Sequence, residues 1–120
     1  MKKASIIAVA LLVSVLLCGC TITNGVFTGL NHNSSETSLN ASYISFDGSI
    51  TKRLPLKIDD EVHFAYQGDD GLKGSVKQNG EEMFNIANSS VFTAPSDGTY
   101  DFTIEGNAKE GSFSLSWSIE

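Results

Sequence analysis

From Ser38 onward, apolar and polar positions alternate with a period of two, and turn residues break the alternation roughly every ten positions. This is the signature of short, half-buried β-strands. Leu39 to Phe46 is the first predicted strand, closed by Asp47-Gly48. Ser49 to Leu56 is the second, with Pro55 confining its end to a sheet edge or an exit. After a turn at Asp59-Asp60, Glu61 to Gln67 places Val62, Phe64 and Tyr66 on one face. Leu72 to Gln78 follows the turn Gly68-Asp69-Asp70-Gly71 and runs into Asn79-Gly80, a pair that tolerates the positive φ of a tight hairpin. Glu81 to Ile86 returns from it, and Ser89 to Ala94 ends at Pro95-Ser96-Asp97-Gly98. Tyr100, Phe102 and Ile104 alternate with Asp101, Thr103 and Glu105. Phe113, Leu115, Trp117 and Ile119 alternate with Ser112, Ser114, Ser116 and Ser118, and Gly106 to Gly111 joins these last two strands.

About eight strands thus fall within residues 39–120, without a helical period anywhere in that stretch. A single sheet would leave its apolar face wet. Two face-to-face sheets bury it, so the expected fold is all-β: one small antiparallel β-sandwich, jelly-roll-like. The expected core is Phe64, Phe102, Phe113, Leu115 and Trp117, with Phe46, Val62, Phe84, Tyr100 and Ile104 around it. Tyr43 is the main aromatic that the alternation leaves facing outward.

The first twenty residues follow a different rule. Met1-Lys2-Lys3 is a short basic start, and the fourteen residues from Ala4 to Leu17 are apolar apart from Ser5 and Ser14. That run is short for a bilayer span of ~20 residues but suits the apolar region of a secretory signal. It ends in Leu17-Cys18-Gly19-Cys20, which resembles the lipobox of bacterial lipoproteins. The resemblance implies cleavage before Cys20 and a diacylglyceryl group on its sulfur. Cys18 fits less well because bulky Leu17 precedes it, and a Cys at the −2 position is unusual for the motif. Simple signal cleavage after Cys20, an uncleaved anchor helix and a buried core helix are alternatives. The short run argues against the anchor helix, and the Lys pair and missing amphipathic period argue against the core helix.

The chain therefore divides into a lipoprotein signal peptide (1–19), the lipidated Cys20 with a flexible linker (20–38), and a β-sandwich domain (39–120). The linker is Asn-, Ser-, Thr- and Gly-rich with no sustained period, although Phe27 and Leu30 offer side chains that can dock on the domain. As a free coil its eighteen residues from Thr21 to Ser38 would span ~23 Å. Residues 21–120 contain no cysteine, so neither a disulfide nor a cysteine metal site is expected there. Cleavage removes Lys2 and Lys3 and no acid, which leaves six basic and fourteen acidic residues, a net charge of −8. An acidic domain on a tether should stand off an anionic membrane. The same charge excludes nucleic acid as a partner, because phosphate binding needs a basic face.

Catalytic chemistry finds few candidates. A nucleophile needs a base held by a third group. The only histidines are His32, in the predicted linker, and His63, on the solvent face of its strand. No Gly-x-Ser-x-Gly elbow or phosphate-cradling glycine loop occurs. No cofactor or zinc site is expected. Asp59-Asp60-Glu61 and Asp69-Asp70 are oxygen-rich turns of the kind calcium uses, but they flank one strand and so lie at opposite ends of it.

The segments Leu54-Pro55-Leu56-Lys57-Ile58-Asp59-Asp60-Glu61-Val62, Phe92-Thr93-Ala94-Pro95-Ser96-Asp97-Gly98-Thr99-Tyr100 and Gly111-Ser112-Phe113-Ser114-Leu115-Ser116-Trp117 together resemble bacterial pre-peptidase C-terminal-like domains. The likeness covers roughly residues 50–119 and rests on turns and core positions. It implies a non-catalytic accessory module. The expected function is a membrane-anchored lipoprotein, facing the extracellular or periplasmic side, that binds a protein or glycan partner. The alternative is an accessory subunit of a cell-envelope complex.

Overall fold

A computed structural model describes residues 21–120, and every regular element among them is a strand. The signal segment and Cys20 lie outside the described residues. The strands are β1 (Thr21–Thr28), β2 (Asn31–Ser34), β3 (Ser38–Leu56), β4 (Glu61–Gln67), β5 (Leu72–Gln78), β6 (Glu81–Ile86), β7 (Ser90–Thr93) and β8 (Gly98–Ile119). All pairings are antiparallel.

The alternation predicts β4, β5 and β6 at their observed limits. Elsewhere two predicted pairs of strands are single long ones. β3 runs straight through Asp47-Gly48, and β8 runs through Gly106 to Gly111, paired with each other from Ser38↔Ser116 to Leu56↔Gly98. The physical reason is a line of glycines across neighbouring strands, Gly25↔Gly48↔Gly106. All three have positive φ, at 138°, 153° and 143°. A Cβ on Gly48 would collide with the Asn24 carbonyl, and one on Gly106 with the Gly71 carbonyl. Without side chains there, the sheet folds over on itself without breaking its ladder.

That fold makes two layers from one sheet. The first holds Thr21 to Asn24 of β1, the later half of β3, the earlier half of β8, β5 and β6, and β1 crosses the fold at Gly25 to run beside Ser45 to Asp47. The second holds β2, the earlier half of β3, the later half of β8, β4 and β7. The core lies between them. Phe102 of the first layer meets Phe64 and Trp117 of the second edge-on, with centroids 5.0 and 5.1 Å away. Phe92 of the second meets Tyr100 of the first edge-on at 5.7 Å and Phe84 at a tilt at 5.4 Å. The expected sandwich and its expected core are therefore present, with Phe84 partly covered and the others buried.

Two expectations are corrected. Residues 21–38 are not a free coil over their length: β1 and β2 line β3 as one edge strand, interrupted at Gly29-Leu30. Phe27 and Leu30 pack on the core, and Phe27 meets Phe46 at 4.9 Å. Every second residue of β1 on its inner side (Thr21, Thr23, Gly25, Phe27) is small or apolar, a weak alternation that composition hides. Where the two ends of this folded edge come together, Thr21 and Ser34 hydroxyls hydrogen-bond at 2.9 Å. Tyr43, expected to face outward, is 5% exposed. The register holds from one side to the other, but Ile44 and Glu110 drop out of the pairing and Glu110 takes a φ of 50°. The inward side changes phase here: Tyr43 and Phe46 both turn in and Ile44 turns out, 58% exposed.

Candidate binding face

The two layers present two outer faces of different chemistry. On the first, Thr51, Thr103 and Ser75 are register neighbours in one row. Thr103 and Ser75 are buried, and the Thr51 and Thr103 hydroxyls lie 3.0 Å apart. Long charged side chains roof this row. Lys77 reaches Glu105 at 2.6 Å, Lys73 reaches Glu82 at 2.7 Å, and Arg53 grips Asp101 through Nε at 2.7 Å and a second nitrogen at 3.2 Å. From the register, the Lys77–Glu105 pair crosses diagonally over Ser75 and Thr103. The hydrogen bond to Glu82 raises the pKa of Lys73, against a smaller opposing effect of desolvation.

On the second face, one row runs Asn33, Asn40, Ser114, Gln67 across four strands. The next rows hold Asn31, Ser42 and Ser112 on one side and Ser38, Ser116 and Ala65 on the other. None of these residues is charged. Four strands spaced ~4.8 Å apart make this tract roughly 15 Å wide. Apart from Ser38, which bonds Ser35, their side chains make no hydrogen bond among the described residues. Their donors and acceptors are unspent. The row beyond carries Ser118, His63 and Val91. His63 Nε2 stands 3.4 Å from Glu61 and 3.5 Å from Glu120, so the tract ends on this side in a charged rim.

The sequence-derived candidates fall elsewhere. Asp60 and Asp97 accept the backbone N–H groups of Lys57 and Ile58 and fix the β3–β4 turn. Asp69 accepts the Tyr43 hydroxyl proton and lies over Gly111, where a Cβ would strike it. This contact pins the 68–71 turn to the bent end of the sheet, helped by Asn107 N–H on the Gly71 carbonyl at 3.1 Å. Burial first, then the hydrogen bond and the negative charge of Asp69, push the Tyr43 pKa well above the ordinary tyrosine value. Burial and Asp69 raise Tyr66 in the same direction. The two acidic turns thus serve separate structural contacts, and no cluster of three metal-ligating side chains occurs among the described residues. His32 is exposed on β2. The Ser112 to Ser118 stripe is visible in the sequence as the polar half of an alternation. That β2 and β3 extend it with Asn31, Asn33 and Asn40 is not, because the pairing of residues 31–34 is not.

No family model matches the chain, and no curated protein matches it. Among solved structures it is similar to PliG of Aeromonas hydrophila, a periplasmic lysozyme inhibitor of g-type lysozyme, at 14% identity and a TM-score of 0.51, covering 76% of this chain and 96% of that one. It is also similar to PliG of Salmonella Typhimurium, with the same description, at 15% identity and a TM-score of 0.54, covering 81% of this chain and 100% of that one. At such identity the likeness is one of fold alone.

Proposed function

We propose that this chain is a bacterial envelope lipoprotein, anchored through Cys20, whose sandwich is non-catalytic and binds a protein partner through the Ser/Asn face. One observation carries the binding part: a flat, uncharged tract whose hydrogen-bonding groups have no internal partners, on a chain that is otherwise strongly acidic. Short Ser and Asn side chains lose little rotamer freedom on docking and adapt their hydrogen bonds to a partner's surface. Lack of charge keeps the desolvation cost low and spares the partner local repulsion. Without a central aromatic anchor, affinity comes from shape and many small contacts.

The shared fold with two inhibitors of g-type lysozyme makes a lysozyme the first partner to test. Titrating the purified protein with a g-type lysozyme, while following cell-wall lysis, should show saturable inhibition that Ser114→Arg with Ser116→Arg weakens. Unchanged inhibition by that double variant would remove the face from the account. Metabolic labelling with a fatty-acid analogue tests the anchor, and equal labelling of wild type and Cys20→Ala would end it. The pre-peptidase-like segments support the same accessory role. The reading as a subunit of an envelope complex draws on the free edges of β1 and β7. Co-purification from crosslinked membranes separates it from a free-standing binder.

A further inference from the structure

We infer that the sandwich does not stand off the membrane but lies on it along β1, with Ile22, Val26 and Ile44 against the headgroup region. The inference rests on the proposed lipid at Cys20. Thr21 is already a strand residue, paired with Lys52, so one peptide unit of ~3.8 Å separates the lipid-bearing residue from the folded sheet. No slack remains for the ~23 Å tether expected of a free coil.

The surface next to that attachment point is apolar where an edge strand usually carries charge. Ile22 and Val26 lie on the outer side of β1, 42% and 73% exposed, and about 13 Å apart along the strand. Ile44, 58% exposed, continues the strip, its side chain lying over Gly29 just past the end of β1. No residue of β1 is charged. Lys52, the register partner of Thr21, is 6% exposed yet has no hydrogen bond or ion pair among the described residues. Its ammonium is not among the fully buried unpartnered groups, so the stem is covered while the charge keeps some contact with water. Ile44 shares its stretch of β3 with the Ser/Asn face, but Ser114 pairs with Asn40, four residues or ~13 Å further along, and stays free for a partner.

The test uses the whole lipid-anchored protein in vesicles of phosphatidylethanolamine and phosphatidylglycerol, with the Cys20 adduct verified by intact mass. Residues 21–120 hold no cysteine, so Ile22→Cys, Val26→Cys, Ile44→Cys and Ser114→Cys each take one spin label. The expected result is a several-fold loss of collision with a water-soluble nickel chelate at 22, 26 and 44 relative to 114. Equal accessibility at all four sites with Cys20 lipidated would overturn the inference and leave the anchor standing. Protection at 22 alone would overturn it too, since β1 would then rise away from the bilayer. A bare Cys20 would remove the anchor and the inference together. Hydrogen exchange on the unsubstituted protein gives a second measure: slower exchange in β1 than in the equally free edge β7 supports the contact, and equal exchange contradicts it.

Discussion

The two outer faces of this sandwich are built on the same folded strands, β3 and β8, yet they solve opposite problems. The first face turns its polar groups inward on itself: ion pairs cover a row of hydroxyls, and Lys73, Lys77, Arg53 and their acids satisfy one another. The second leaves a field of Ser and Asn that, apart from Ser38, has nothing to bond among the described residues. Surface ion pairs of the first kind contribute little to stability, about 0–1 kcal/mol each. Their effect here is to use up the face. A face whose charged groups are already matched offers a partner little, even though Ser75 Oγ beneath them is buried without a hydrogen bond, whereas exposed unspent groups can be matched on binding. A partner therefore has more to gain on the second face than on the first.

Substitutions in the core, at the bend and on the two faces should differ in effect. The ring cluster shared by both layers should matter most. Phe102→Ala removes the contact of Phe102 with Phe64 and Trp117 and should cost roughly 3–5 kcal/mol in denaturant unfolding. A loss below about 1 kcal/mol would mean the layers are not packed as described.

Next is the pin at the bent end. Tyr43→Phe leaves Asp69 without the hydroxyl it accepts and should cost about 1–3 kcal/mol. The same group sets an alkaline limit. Its folded-state pKa lies above the unfolded value of ~10, so its contribution is full below pH ~10 and is lost as the pH rises above it. Melting of the wild type should therefore fall more steeply above pH 10 than melting of Tyr43→Phe. Parallel curves would contradict the pin.

The two smallest effects should separate the faces. Ser114→Arg with Ser116→Arg should weaken partner binding about tenfold, ~1.4 kcal/mol, with stability within ~0.5 kcal/mol of wild type. Lys77→Ala should do the reverse, costing up to ~1 kcal/mol of stability by unroofing Ser75 and Thr103, with binding unchanged. Titration calorimetry and urea unfolding on both variants read the two effects, and a binding loss in Lys77→Ala would erase the distinction between the faces.

Much of the fold is legible in the residues because burial acts on every second position. The limits of β4, β5 and β6 and the aromatic core follow from alternation alone. The long strands are not legible, because Asp47-Gly48 and Gly106 look like turns when each is read by itself. Only the register shows that these glycines stand beside one another and beside Gly25, where a missing Cβ permits folding of the sheet in place of chain reversal. β1 and β2 escape for a related reason. An edge strand with a solvated outer side needs few apolar residues, and Phe27 and Leu30 supply most of what this one buries. Tyr43 misleads because the alternation changes phase between it and Phe46, at the unpaired Ile44 opposite Glu110, so both aromatics face the core. Of the candidate face, the Ser112–Ser118 stripe is plain in the sequence, while its breadth depends on pairings between residues far apart in the chain.

The most direct measurement of the central claim is site-specific photocrosslinking on cells that display the lipid-anchored protein. A photoreactive residue placed at Ser114 should yield a discrete adduct with one partner protein, and the same residue at Lys77 should yield none. Adducts from position 77 without any from 114 would contradict the assignment of binding to the Ser/Asn face.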